Sequence, residues 1–130
     1  MVRFLLALWN LDSLGDMMSL IVYGIKNCNS MKKAFAFLEE HDKAYKFHDF
    51  KKETLSLDIL NQIIEKISID SLINTKGATY KKLKEQGISD ITPIIITQNP
   101  SIIKRPLIVC YNDILIYKVV VGLQHLEELL

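Results

Sequence analysis

Hydrophobic and polar positions recur along this chain with two different periods, and the switches between them mark out its elements. Leu20 to Ile25 (LIVYGI) is a short, β-branched apolar run, the pattern of a strand buried on both faces. From Ser30 to His41 the apolar residues Met31, Ala34, Phe35 and Leu38 fall at i, i+3, i+4 and i+7, which predicts one face of a helix. Tyr45 to Asp49 alternates Tyr45 and Phe47 with Lys46 and His48, as a half-buried strand does. Strand, helix and strand in about 30 residues form a βαβ unit with parallel strands and a right-handed crossover.

The middle of the chain reads as helical. Ser56 is placed to cap a helix whose apolar stripe is Leu57, Leu60, Ile63, Ile64 and Ile67. Two shorter helical pieces follow, Ile69 to Ile73 and Thr79 to Glu85, punctuated by Gly77 and Gly87. Thr92 and Pro93 supply an N-cap and a first helical position for a short helix through Ile94 to Thr97, which Pro100 is expected to end. Leu107 to Cys110 and Ile114 to Val121 predict an antiparallel hairpin about an Asn112-Asp113 turn. After Gly122, the leucines at 123, 126, 129 and 130 mark a terminal amphipathic helix. The order βαβ, helical insertion, ββα predicts an α/β fold: a thioredoxin-like mixed sheet covered by two layers of helix.

Composition narrows the class. With 130 residues, 49% hydrophobic and 24% charged, the chain has the size and balance of one globular domain and is not a disordered or low-complexity sequence. Residues 19–130 are read as that single domain. A net charge of +1 gives no general field for nucleic acid or an anionic membrane, so neither is expected as a partner. Residues 1–18 read as an N-terminal extension. Its apolar run Phe4 to Trp9 is too short to span a bilayer and lacks a signal-peptide cleavage pattern, and Met17 and Met18 stand where translation is expected to begin. Leu5, Leu8, Leu11 and Leu14 alternatively fit a short helix. A cytoplasmic monomer is the expectation.

Two cysteines exclude a disulfide framework and a four-cysteine zinc site, and His41, His48 and His125 have no ligand spacing and are expected at the surface, so no metal site is expected. Asp49 with Lys51 and Lys52 reads as a solvated loop. Cys28 stands after a strand and just before a helix, where unpaired N–H groups favour a thiolate by about 0.3 to 2 kcal/mol. Lys32 and Lys33 in the first turn, with Glu39 and Glu40 in the last, reverse the arrangement the helix dipole prefers. A thiolate gains from that reversal and from Lys26. Met31, three residues after Cys28, excludes a C-x-x-C dithiol, and Cys110 within an apolar strand reads as core. Only Arg3 and Arg105 are arginine among 16 basic residues, so Arg105 stands out as a fork for an oxyanion or carboxylate.

Four blocks, YGIKNCNSMKKA (23–34), KFHDFKKE (46–53), INTKGATYKKL (73–83) and NPSIIKRPLIV (99–109), resemble the arsenate reductase (ArsC)/Spx family, especially its small YffB-like branch. The resemblance covers about residues 20–128. It implies a reactive Cys28 facing Arg105, with the Arg105-Pro106 peptide in cis. Lys26, Lys76 and the N–H groups of Asn29 and Ser30 would complete an anion pocket beside Pro106. It further implies a thiol-dependent oxidoreductase that binds no cofactor, takes a small thiol or oxyanion substrate, and uses glutathione as co-substrate. A second expectation is an Spx-like regulatory module that senses oxidation or binds a partner protein. Arsenate reduction is the third: arsenate reductases resemble C-G-T-S-R after the cysteine, whereas this chain has Cys28-Asn29-Ser30-Met31-Lys32.

Overall fold

The computed structural model describes residues 18–130. Apart from Met18, the segment read as an extension lies outside the described residues.

The sheet has the order β2-β1-β3-β4, built from β1 (Met18–Gly24), β2 (Lys46–Asp49), β3 (Leu107–Asn112) and β4 (Leu115–Val121). β1 pairs parallel with β2 and antiparallel with β3, and β3 pairs antiparallel with β4. The parallel βαβ unit and the antiparallel hairpin therefore meet at the central pair β1–β3, which makes the sheet mixed. β1 opens two residues before the expected Leu20 and ends at Gly24.

Alternation along the strands sends side chains to two apolar layers. Tyr23, Leu107, Val109, Val119 and Val121 pack beneath the helical insertion, together with Leu60, Ile63, Leu72 and Ile96. Val22, Ile108, Cys110 and Val120 face the other way and meet Met31, Ala34 and Leu38 of α1 (Asn29–Glu40) with Leu126 and Leu129. The i, i+3, i+7 spacing of Met31, Ala34 and Leu38 lays all three on the sheet, where each is fully buried.

The insertion comprises α2 (Leu57–Lys66), α3 (Ile69–Leu72), α4 (Ala78–Glu85) and α5 (Pro93–Gln98). Three of its helices have side-chain N-caps, two of them the expected Ser56 and Thr92, and Ser68 is the third. Ser56 Oγ accepts from Ile59 N at 3.1 Å, Ser68 Oγ from Ser71 N at 3.1 Å, and Thr92 Oγ1 from Ile95 N at 3.3 Å. Gly87, with φ of +86°, lets the chain turn out of α4 where a side chain would strain.

Several local expectations are corrected. The two-residue turn of the hairpin is Asp113-Ile114 and not Asn112-Asp113, because Asn112 pairs with Leu115. A register shift between Cys110 and Tyr111 leaves Tyr117 as the extra residue, and Asp113 takes the left-handed φ of +62°. The terminal segment Leu123–Leu129 is a 3₁₀ helix rather than an α-helix. Leu126 and Leu129, spaced by three, eclipse one another in a threefold helix, and both are buried. Pro100 opens a further 3₁₀ turn, Pro100–Ile102, after α5 has ended at Gln98.

Asp49 is not solvated. It is buried at the end of β2, its Oδ1 accepts from Lys51 N at 2.9 Å, and its carbonyl accepts from Lys52 N and Glu53 N. His48 is not a surface group either: it is half-buried between Tyr23 and Phe50, with ring centroids 4.7 and 6.0 Å away. His41 and His125 are exposed as expected.

Candidate active site

The site forms where β1 hands over to α1. After Gly24 the chain turns through Lys26 and Asn27, and Asn27 adopts φ of +59°, a left-handed conformation that Asn tolerates. This turn delivers Cys28 as the N-cap residue of α1, with extended φ and ψ of −113° and 130°. Lys32 N donates to the Cys28 carbonyl at 3.0 Å, closing the first turn of the helix. The sulfur closes no capping hydrogen bond of its own, so the N–H groups of the first turn act on it as oriented dipoles.

Burial works to raise the Cys28 thiol, but the Met31 and Ser30 N–H groups, followed by the Arg105 guanidinium, outweigh it and hold the thiol below its ordinary range. Cys110 shows the opposite balance. Burial in the apolar layer raises it, and the charges of Lys118 and Lys43 offset this only in part. The two thiols are both free, and their surroundings shift them in opposite directions.

Arg105 reaches the site from the foot of β3, where the Arg105-Pro106 peptide is cis and Pro106 is buried. The Pro106 carbonyl accepts from Gly122 N at 2.9 Å, which joins this bend to the end of β4. Arg105 is half-buried, and its Nε, fully buried, has no hydrogen-bond partner. A buried guanidinium N–H without an acceptor has the chemistry to take up an anionic group.

The remaining expected residues are placed less uniformly. Lys26 and Asn29 are exposed on the turn and on the first position of α1, and Ser30 is half-buried. Lys76 is exposed in the turn before α4, where its N–H donates to Asn74 Oδ1 at 3.1 Å. That turn is tied to the Arg105 segment, since Asn74 N donates to the Ile102 carbonyl at 2.7 Å and Lys104 N to the Leu72 carbonyl at 2.9 Å. The groups that lower the thiol are Met31 N–H, Ser30 N–H and Arg105, and Lys26, Lys32, Lys33 and Lys76 are not among them. Sequence reasoning named the Asn29 and Ser30 amides and passed over that of Met31. The rule that an N-cap side chain faces the second and third helical amides points to Ser30 and Met31.

Residues 23–125, which hold the strand-to-helix cysteine, the inserted helices and the arginine before the cis-proline, match the ArsC family model. The chain belongs to the ArsC family. An uncharacterised protein of Haemophilus influenzae is 37% identical over 91 residues, which cover 67% of this chain and 80% of that one. The global transcriptional regulator Spx of Listeria innocua is 35% identical over 95 residues, 68% of this chain and 71% of the regulator. Among solved structures, a YffB protein superposes with a TM-score of 0.66 at 31% identity, covering 80% of this chain and 90% of its own. The ArsC-family fold, a thioredoxin-like mixed sheet, is thus shared with both regulators and reductase-like proteins.

Among the described residues no group of His, Cys, Asp and Glu is arranged to hold a metal ion, and no helix is long and apolar enough to cross a membrane.

Proposed function

We propose that the protein is a thiol-dependent oxidoreductase in which Cys28 carries the chemistry and glutathione is the co-substrate. The observation that carries this reading is the convergence of the α1 amides and Arg105 on one sulfur, which keeps its thiol below the ordinary range. A thiolate is the nucleophile in disulfide exchange.

In the proposed reaction the Cys28 thiolate attacks the glutathione sulfur of a mixed disulfide. A Cys28–glutathione disulfide forms, the substrate's S–S bond breaks, and the substrate leaves as a thiolate that takes a proton from solvent. A second glutathione thiolate then attacks the adduct, releasing oxidised glutathione and restoring the Cys28 thiolate. The substrate sulfur is reduced by one electron and the sulfur of the incoming glutathione is oxidised by one, while the first glutathione sulfur stays at the disulfide level throughout, so the electrons balance. Met31 stands where a resolving cysteine would be, and Cys110 is buried in the core, which favours an external reductant. Arg105 holds a carboxylate or oxyanion of the substrate, with Lys26, Lys76 and the amides of Asn29 and Ser30 lining the approach beside Pro106. A glutathione-rich reducing compartment, the cytoplasm, suits this chemistry.

The test is the intact mass of the protein after incubation with oxidised glutathione. One glutathione adduct on the native chain and none on Cys28→Ser supports the reading. A native chain that forms no adduct overturns it.

The likeness to Spx supports a second reading, a regulatory module that binds a partner protein and uses Cys28 only to sense oxidation. It expects Cys28→Ser to leave partner binding intact under reducing conditions, with no turnover of glutathione by the native chain. Arsenate reduction, the third reading, expects arsenate-dependent oxidation of glutathione that Arg105→Ala abolishes.

A further inference from the structure

The amides that face the Cys28 sulfur belong to a helix turn that must itself be held in place, and the contact that holds it involves Gly24 and Met31. Met31 is fully buried in the layer between α1 and the sheet. Its thioether lies directly over Gly24: a Cβ on that glycine would stand 2.4 Å from Met31 Sδ and 2.6 Å from Cε. Gly24 is not among the positive-φ glycines, so its backbone does not demand glycine. What demands it is space. Gly24 is in turn anchored on its other side, for its carbonyl accepts from Phe50 N at 2.8 Å and it pairs with Asp49 in the parallel ladder.

We propose that Met31 and Gly24 are positioning residues for Cys28: the thioether seated on the bare face of Gly24 fixes the first turn of α1 against the end of β1, and so fixes the Ser30 and Met31 amides beside the sulfur. Met31 sits at the third helical position, so its own N–H is one of the amides it positions. The side chain that replaces a second cysteine in this site therefore tunes the first. This assignment rests on the reading of Cys28 as the reactive thiol.

The experiment measures the rate of Cys28 alkylation by iodoacetamide against pH, read by peptide mass at Cys28, in the native chain, Gly24→Ala and Met31→Leu. Gly24→Ala pushes the thioether off its seat and is expected to move the pH profile upward and to slow alkylation at pH 7 about two- to fivefold. Met31→Leu keeps the volume and loses the arm that reaches Gly24, and is expected to shift the profile in the same direction by less. A folded Gly24→Ala with the native pH profile overturns the proposal. Should Gly24→Ala lose its circular dichroism signal, Met31→Leu decides: an upward profile supports the clamp and an unchanged one removes it. A native chain that forms no glutathione adduct while these shifts still occur removes the oxidoreductase reading and leaves the clamp standing. The reverse pair of results does the opposite.

Discussion

The Arg105 guanidinium acts on the Cys28 sulfur from the start of β3, the strand paired with β1, immediately before a cis-proline and far along the chain in sequence. The contact joins the two supersecondary halves, since Cys28 belongs to the βαβ unit and Arg105 to the start of the β3–β4 hairpin. Removing it tests how much of the thiolate depends on that junction. Arg105→Ala is expected to raise the thiol and slow alkylation of Cys28 at pH 7 about three- to tenfold. Arg105→Lys restores charge without the planar fork and recovers part of the rate. Equal pH profiles in all three proteins would leave the helix amides as the whole cause.

The two cysteines should imprint opposite signs on the dependence of stability on pH. The Cys28 thiol is lowered in the folded state, so its contribution grows as pH rises through the folded value and is complete above the unfolded value of about 8.5. The Cys110 thiol is raised, so its contribution is present below that unfolded value and is lost as pH climbs above it. Urea midpoints measured from pH 6 to 10 report both. Cys28→Ser is expected to remove a gain in stability on approaching pH 9, and Cys110→Ala a loss beyond it. Two variants with the same sign of change would contradict the assignment of the thiols.

Strand and helix periods made the architecture legible because each element shows one face to one layer: Met31, Ala34 and Leu38, or Leu107 and Val109, declare their burial by spacing alone. The site was legible in part for the same reason, since a cysteine between a strand and a helix becomes an N-cap. Other features depend on contacts that spacing does not encode. The hairpin turn falls at Asp113-Ile114 because Asn112 pairs with Leu115 across β3 and β4. Asp49 and His48 are polar residues in a short strand, and only the packing of Phe50 and the turn after β2 draws them inward. The lysines near Cys28 are close in sequence, yet the cation that acts on the sulfur comes from residue 105. Gly24 reads as an ordinary strand-ending glycine until Met31 is placed over it.

Ser56 offers a test of the insertion that spares the site. Its hydroxyl accepts from Ile59 N at 3.1 Å and caps α2, whose Leu60 and Ile63 are fully buried against the sheet. Ser56→Ala is expected to lower stability by about 1 kcal/mol in urea unfolding. Alkylation of Cys28 should keep its native pH profile, since α2 supplies none of the groups that act on the sulfur. A shift of that profile would mean that the insertion and the site are coupled through the Arg105 segment.

At high pH the stability should report on the junction of α1 and β2. Tyr45 is pushed up to about 12, first by burial and then by its hydroxyl, which donates to Glu39 Oε2 at 3.1 Å, and by the charge of that carboxylate. Its ring stacks on Phe35 with centroids 5.3 Å apart. The folded pKa lies above the unfolded value of about 10, so the folded state holds the proton more tightly. Tyr45 therefore contributes stability that is complete below pH 10 and lost between about 10 and 12. Tyr45→Phe keeps the stacked ring and removes the proton, so the fall in the urea midpoint over that window should become shallower. It should not vanish, because buried Tyr23 is raised in the same direction. A slope that Tyr45→Phe leaves unchanged would show that neither burial nor Glu39 raises the Tyr45 hydroxyl in solution.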